Sequence, residues 1–185
     1  MKDYIKTKLS EFPLSEKEIV NSVLNSQNQI NEAMKWIHRE FQNCVPDMTS
    51  QEYGHIYEKY ILDNINSLNK IEYKLGDANT EEDFVCISDK RFNIELKTRQ
   101  NRSFNNTNSS NRRNASTKYL DPDEEHYFIL IYHKMHLEDN CPQTKIKEIY
   151  FGVLSKNDFK NPNGTGAAYL MKDTRDEKCV LIYKQ

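Results

Sequence analysis

Two carboxylates and a lysine stand in a pattern that suits metal-assisted hydrolysis. Asp83 opens an apolar run and is followed, after a polar turn at residues 88–91, by Glu95 and Lys97. Side chains two residues apart in a strand point to the same face, so Glu95 and Lys97 share a face if this stretch is extended. A hard cation such as Mg²⁺ takes few protein ligands, mostly carboxylates, and keeps several waters. The pattern therefore predicts a cation site suited to phosphodiester hydrolysis, with a lysine that orients water or stabilises charge.

The acid-x-lysine triplet alone is weak evidence, because 29% of the residues are charged. Three other copies begin at Glu72, Asp158 and Asp176. The copy at Glu95 differs from these because it follows a predicted hairpin with an acid at its head. Apolar residues also alternate with it, which places Glu95 and Lys97 on the opposite face of the strand. The alternative is a salt-bridged, solvent-exposed hairpin face without a catalytic role.

Helices are predicted before this hairpin. In residues 27–43 apolar side chains recur at steps of three and four, which is typical of an amphipathic helix. Pro46 ends that pattern. Thr49 and Glu52 are spaced as a capping box for a second helix, which runs to about Leu68. We therefore expect an N-terminal helical segment over residues 1–46 and a core domain over residues 47–185.

After residue 70 the pattern becomes extended. Six apolar runs read as strands, and the most apolar, at residues 127–133, is expected at the centre of a sheet. The runs are residues 71–75, 84–88, 91–98, 127–133, 146–154 and 179–183. The order of helices and strands predicts an α/β (α+β) fold with a mixed central β-sheet flanked by helices.

The hairpin resembles the second and third motifs of the PD-(D/E)XK nuclease superfamily, which has the restriction-endonuclease-like fold. The preceding helix adds Gly54 and Glu58, and this spacing resembles the superfamily's small residue one turn before an acid. Residues four apart stack along one side of a helix, so a small Gly54 would let the helix lie close to the sheet. The resemblance covers roughly residues 50–135.

The resemblance implies a role for each matching residue. Glu58, Asp83, Glu95 and the backbone carbonyl of Leu96 would hold one or two Mg²⁺ ions, with Mn²⁺ able to substitute. Lys97 would position the attacking water, and the products would carry 5′-phosphates. The chain departs from the superfamily pattern because no proline precedes Asp83, which follows two glutamates. Whether Glu82 or Asp83 is the first metal ligand is therefore open, although the family position favours Asp83.

A basic stretch follows the hairpin. Residues 96–120 contain six basic residues and no acid, interleaved with asparagines. In the major groove arginine pairs with guanine and asparagine with adenine, so a recognition loop is predicted over about residues 99–120. The predicted DNA-contacting residues are Arg99, Arg102, Asn105, Asn106, Arg112, Arg113 and Lys118. The alternative is an asparagine-rich surface loop without such a role.

The combination of a nuclease core and a recognition loop resembles an orthodox type II restriction endonuclease. This resemblance implies sequence-specific cleavage of double-stranded DNA by a homodimer, since two active sites must address two strands. One alternative is a non-specific, repair, resolvase-type or RNA-cleaving nuclease of the same superfamily. A remote alternative is a non-enzymatic interaction module, because residues 12–37 resemble the ubiquitin-binding CUE/UBA helical pattern.

The composition places further bounds on the protein. The chain has 185 residues, a net charge of -2 and four cysteines, which show no metal-ligand spacing. Free thiols are typical of a reducing compartment. The polar first residues do not resemble a secretory signal, and no apolar run reaches membrane-spanning length. We therefore expect a cytoplasmic protein without a membrane segment.

Overall fold

Three helices precede the strands in the computed structural model, which describes residues 2–41, 50–77, 82–100, 105–106, 124–160 and 168–185. The helices are α1 (Lys2–Glu11), α2 (Glu16–Glu40) and α3 (Ser50–Asn66). The predicted helical character of the N-terminal stretch is confirmed. A capping box starts α2, in which the Ser15 hydroxyl accepts from the Glu18 backbone N–H and the Glu18 carboxylate accepts from the Ser15 N–H. Thr49, the predicted cap of α3, lies outside the described residues.

A mixed sheet forms the centre of the molecule, as predicted. The described strands, and the short helix between the last two of them, are β1 (Tyr73–Leu75), β2 (Phe84–Cys86), β3 (Ile94–Arg99), β4 (Asn105–Asn106), β5 (His126–Glu138), β6 (Cys141–Leu154), β7 (Phe159–Lys160), β8 (Ala168–Leu170), α4 (Lys172–Lys178) and β9 (Cys179–Lys184). Six of these strands form the central sheet in the order β1-β2-β3-β5-β6-β9, in which β3 and β5 are parallel and every other neighbouring pair is antiparallel. A second sheet, which the sequence patterns did not predict, has the order β4-β8-β7.

The two longest strands, β5 and β6, form one hairpin. Their turn consists of Asp139 and Asn140, whose φ angles are 51° and 62°. Two-residue hairpin turns often need positive φ at both positions, which Asp and Asn tolerate better than most residues. The sequence predicted strands only at residues 127–133 and 146–154, because the residues between them are largely polar. The structure extends both strands until they meet at this turn.

The central sheet has two differently covered faces. On one face α1, α2 and α3 pack against the strands, and the Phe12 ring lies 4.6 Å from the Tyr127 ring and 4.9 Å from the Phe151 ring. On the other face Phe159 of β7 and Leu170 of β8 form a smaller apolar cluster with residues of β5 and β6. The N-terminal helices and the strands therefore share one buried core.

Strand β3 contributes alternate residues to these two faces. Leu96 belongs to the core beneath the helices, whereas Glu95 and Lys97 pair in register with Phe128 and Leu130, which belong to the opposite cluster. The predicted separation of Glu95 and Lys97 from their apolar neighbours is thus confirmed. Both side chains lie on the sheet face away from the three N-terminal helices.

Candidate active site

Asp83, Glu95 and Lys97 converge on one point of the sheet. Lys97 Nζ donates a hydrogen bond to Glu95 Oε1 and lies 3.7 Å from Asp83 Oδ2. The same Asp83 oxygen accepts a hydrogen bond from the backbone N–H of Leu96 at 2.8 Å. Glu95 is fully buried, whereas Asp83 and Lys97 are partly buried. The hairpin therefore brings together the two carboxylates and the lysine that the sequence pattern singled out.

The Lys97 ammonium is held in its charged form. Burial alone would lower the pKa of Lys97, but the Glu95 and Asp83 carboxylates outweigh burial and raise that pKa above its usual value. A protonated ammonium donates hydrogen bonds and cannot act as a general base. Two carboxylates and one ammonium leave the cluster with a formal charge of about -1, which attracts a further cation.

The donor set fits Mg²⁺. Both carboxylates contact the same ammonium, so they are already directed at one positive charge. All their donor atoms are hard oxygens, and Leu96, whose backbone carbonyl is the further predicted ligand, directly follows Glu95 in sequence. Among the described residues, however, no group of three His, Cys, Asp or Glu side chains is arranged to hold a metal ion. Asp83 and Glu95 are therefore the protein carboxylates that the described geometry offers.

Glu58, the third predicted carboxylate, has a different environment. Its carboxylate lies 3.0 Å from Nδ1 of His55 on the same helix. The structure does not bring Glu58 into the contact between Asp83, Glu95 and Lys97. The close approach expected at Gly54 is present, because a Cβ atom built there would lie 3.4 Å from Thr98 Oγ1 on β3.

Glu82 and Asp83 have different hydrogen-bond partners. It lies 2.5 Å from His126 Nδ1 and accepts a hydrogen bond of 2.9 Å from Asn93 Nδ2. Burial would raise the pKa of Glu82, but the hydrogen bonds from His126 and Asn93 outweigh burial and lower that pKa to about 2. Both Glu82 oxygens are therefore engaged by residues other than Lys97. The sequence showed His126 only as a histidine that flanks a buried strand, of a kind more often structural than catalytic, and Asn93 only as a polar residue between turn and strand.

The predicted DNA-contacting residues fall partly within the described chain. Arg99 lies on β3 two residues beyond Lys97, and burial lowers the pKa of its guanidinium. Asn105 and Asn106 form β4, which pairs with Tyr169 and Ala168 of β8, so a strand begins within the predicted loop. The remaining predicted contacts lie outside the described residues and are Arg102, Arg112, Arg113 and Lys118.

A mixed sheet flanked by helices, with an acid just before one strand and a Glu-x-Lys triplet on the neighbouring strand, is consistent with the restriction-endonuclease-like class of nucleases. The model of the ScaI restriction endonuclease family matches residues 2–183, nearly the whole chain, and the chain belongs to this family. It is therefore a type II site-specific deoxyribonuclease, and the non-enzymatic alternative is excluded. A comparison with curated proteins found no match.

Within the parts of the chain that the structure describes, every helix is too short or too polar to span a bilayer.

Proposed function

We propose that this restriction endonuclease cleaves double-stranded DNA at specific sites with Mg²⁺ held by Asp83, Glu95 and the backbone carbonyl of Leu96. The observation that carries the proposal is the contact of one ammonium, that of Lys97, with both carboxylates. Mg²⁺ is bound in proteins by one or two carboxylates together with waters, so two carboxylates directed at one positive charge support this proposal, and Mn²⁺ is expected to substitute.

The chain's own residues then have separate tasks. Asp83 and Glu95 supply the negative charge that binds the cation, and the Leu96 N–H holds the Asp83 carboxylate in place. Lys97 donates a hydrogen bond that orients the attacking water and stabilises charge developing on the phosphate. Bound Mg²⁺ supplies electrostatic stabilisation of the transition state and acidifies a water. Water attacks phosphorus in line and loses a proton to solvent, while the bond from phosphorus to the 3′ oxygen breaks and that oxygen takes up a proton from solvent. The products are a 5′-phosphate and a 3′-hydroxyl.

Glu58 stays a predicted ligand that the described contacts do not support. Its carboxylate contacts His55, and α3 packs on the sheet face opposite Glu95 and Lys97. We expect Glu58→Gln to reduce cleavage much less than Glu95→Gln does. Equal losses in the two variants would instead support the three-carboxylate ligand set.

DNA recognition is proposed for the basic segment that follows β3. Arg99 lies on the same strand as Lys97, and β4 joins the start of this segment to β8. These positions support contacts to the DNA backbone and bases close to the scissile phosphate. The proposed contact residues are Arg99, Arg102, Asn105, Asn106, Arg112, Arg113 and Lys118. We also propose a homodimer, because cutting both strands of a palindromic site needs two such centres.

Cleavage of three substrates tests the proposal. Supercoiled plasmid, linear double-stranded DNA and RNA of the same sequence are incubated with the enzyme in Mg²⁺ and in EDTA. Discrete DNA fragments that appear only with Mg²⁺ support site-specific cleavage of double-stranded DNA. A smear, or preferential loss of RNA, would favour a non-specific or RNA-cleaving nuclease. The mass of the protein in solution, measured by light scattering, tests the dimer.

A further inference from the structure

The backbone hydrogen-bond ladder between β2 and β3, the strands next to Asp83 and Glu95, is short. Strands β2 and β3 share the single register pair Phe84 and Ile94. Asp83 lies just before β2, and Glu95 is the second residue of β3. The Leu96 N–H holds the Asp83 carboxylate. Because so little backbone pairing connects the strands, the backbone just before β2 needs further contacts to keep that carboxylate beside Glu95 and Lys97.

A buried chain of side chains supplies those contacts. The Asn93 Oδ1 atom accepts a hydrogen bond from the Cys86 backbone N–H at 2.9 Å, and Asn93 Nδ2 donates to Glu82 Oε2 at 2.9 Å. The other Glu82 oxygen lies 2.5 Å from His126 Nδ1. Asn93 and His126 are each 8% exposed, so these bonds are shielded from water.

These hydrogen-bonded side chains join the starts of three strands. Glu82 leads into β2, Asn93 precedes β3, and His126 begins β5, which pairs in parallel with β3. The Asn93 side chain takes the place of a backbone ladder acceptor for Cys86. A shift of Glu82 would be transmitted to Asp83 through one peptide bond.

We propose that Glu82, Asn93 and His126 form a positioning clamp that holds Asp83 against Glu95 and Lys97. The clamp rests on the proposed function of that site. It acts through Asp83 and touches neither substrate nor cation. Active sites tolerate displacements of only about 0.5 Å, so loosening this anchor lowers the rate without removing any reacting group.

Asn93→Asp and Glu82→Gln test the clamp. Asn93→Asp keeps the oxygen that accepts from Cys86 but loses the amide donor to Glu82, and Glu82→Gln removes the charge that binds His126. We expect the single-turnover cleavage rate to fall about 10–100-fold in both variants, with DNA affinity in EDTA unchanged. We also expect faster amide hydrogen exchange at Leu96, whose N–H donates to Asp83.

The chain offers a matched control at Asn66. Its Oδ1 accepts from the Tyr73 N–H and its Nδ2 donates to the Tyr73 carbonyl oxygen, both at 2.9 Å, so it also joins two elements by paired bonds. Asn66→Asp makes the same chemical change away from the site. We expect it to leave the cleavage rate and the Leu96 exchange rate as in wild type.

The possible outcomes are distinguishable. Wild-type rates in both clamp variants would overturn the clamp, as would slower cleavage with unchanged Leu96 exchange or an equal loss in Asn66→Asp. If Asn93→Asp does not fold, the conservative Glu82→Gln decides. Asp83→Asn is included as a separate reference, because wild-type cleavage by that variant would overturn the proposed active site itself.

Discussion

The carboxylate of Asp83 and the backbone N–H of Leu96 are joined by a 2.8 Å hydrogen bond across the β2–β3 hairpin. Because Leu96 stands between Glu95 and Lys97, this bond fixes the first acid beside both of its partners. The donor is a backbone group, so an amide oxygen at position 83 could accept the same bond. Asp83→Asn therefore removes the charge and preserves the geometry.

Mg²⁺ is expected to stabilise the folded enzyme through Asp83 and Glu95. A ligand at ten times its Kd stabilises the folded state by about 1.4 kcal/mol, which raises Tm. Calorimetry in Mg²⁺ and in EDTA should show this gain for wild type and not for Asp83→Asn or Glu95→Gln. Glu72→Gln, at another acid-x-lysine triplet, should keep the gain. A full gain in Asp83→Asn would contradict the proposed ligand set.

The two described glycines with close neighbours should respond oppositely to alanine. A Cβ at Gly152 would collide with Cys179 Sγ and lie 2.5 Å from the Lys178 carbonyl oxygen, so we expect Gly152→Ala to cost about 1–3 kcal/mol. A Cβ at Gly54 would lie 3.4 Å from Thr98 Oγ1, and helix propensity favours alanine there. Urea unfolding measures both variants. If the two alanine variants are equally stable, β6 and β9 do not approach each other at Gly152 as closely as the structure shows.

His133 should make stability depend on pH below neutrality. Burial and the nearby Arg99 charge lower the pKa of His133 from 6.5 to about 4, and its Nδ1 lies 3.0 Å from Thr144 Oγ1. The unfolded chain takes up a proton below about pH 6.5 and the folded chain only below about 4, so stability falls across that window. This residue alone should cost about 2 kcal/mol between pH 7 and pH 5.

The His133 effect is measured as a difference between variants. The unfolding free energy at pH 7 and pH 5 is compared for wild type, His133→Gln and His136→Gln, since His136 is exposed. We expect only His133→Gln to lose less stability than wild type between the two pH values. If all three lose the same amount, His133 is not buried in its neutral form.

The basic segment should make DNA affinity depend on salt. Each phosphate contact contributes about 0.9 to the slope of log K against log salt, so replacing Arg112 and Arg113 by alanine should reduce the slope by about 1.8. Binding is measured in EDTA so that no cleavage occurs. Arg39→Ala, an exposed change at the end of α2, serves as the control. An unchanged slope in the double variant would show that these two arginines do not contact DNA phosphates.

Local patterns predicted the hairpin that brings Asp83, Glu95 and Lys97 together, because alternation and turn composition are encoded within a few residues. The face shared by Glu95 and Lys97 follows from strand parity alone. Contacts between distant residues were not predictable: Glu82 and His126 meet only because β5 packs beside β3. The environment of Glu58 likewise depends on how α3 packs, which its helical spacing does not specify.

Cleavage by Lys97→Ala, compared with Lys74→Ala, tests the central claim most directly. Both lysines follow an acid by two residues, but Lys74 lies exposed on β1. We predict Mg²⁺-dependent cleavage by wild type and Lys74→Ala, and a loss of at least about 100-fold in the cleavage rate of Lys97→Ala. Cleavage by Lys97→Ala at the wild-type rate, or undiminished wild-type cleavage in EDTA, would contradict this prediction.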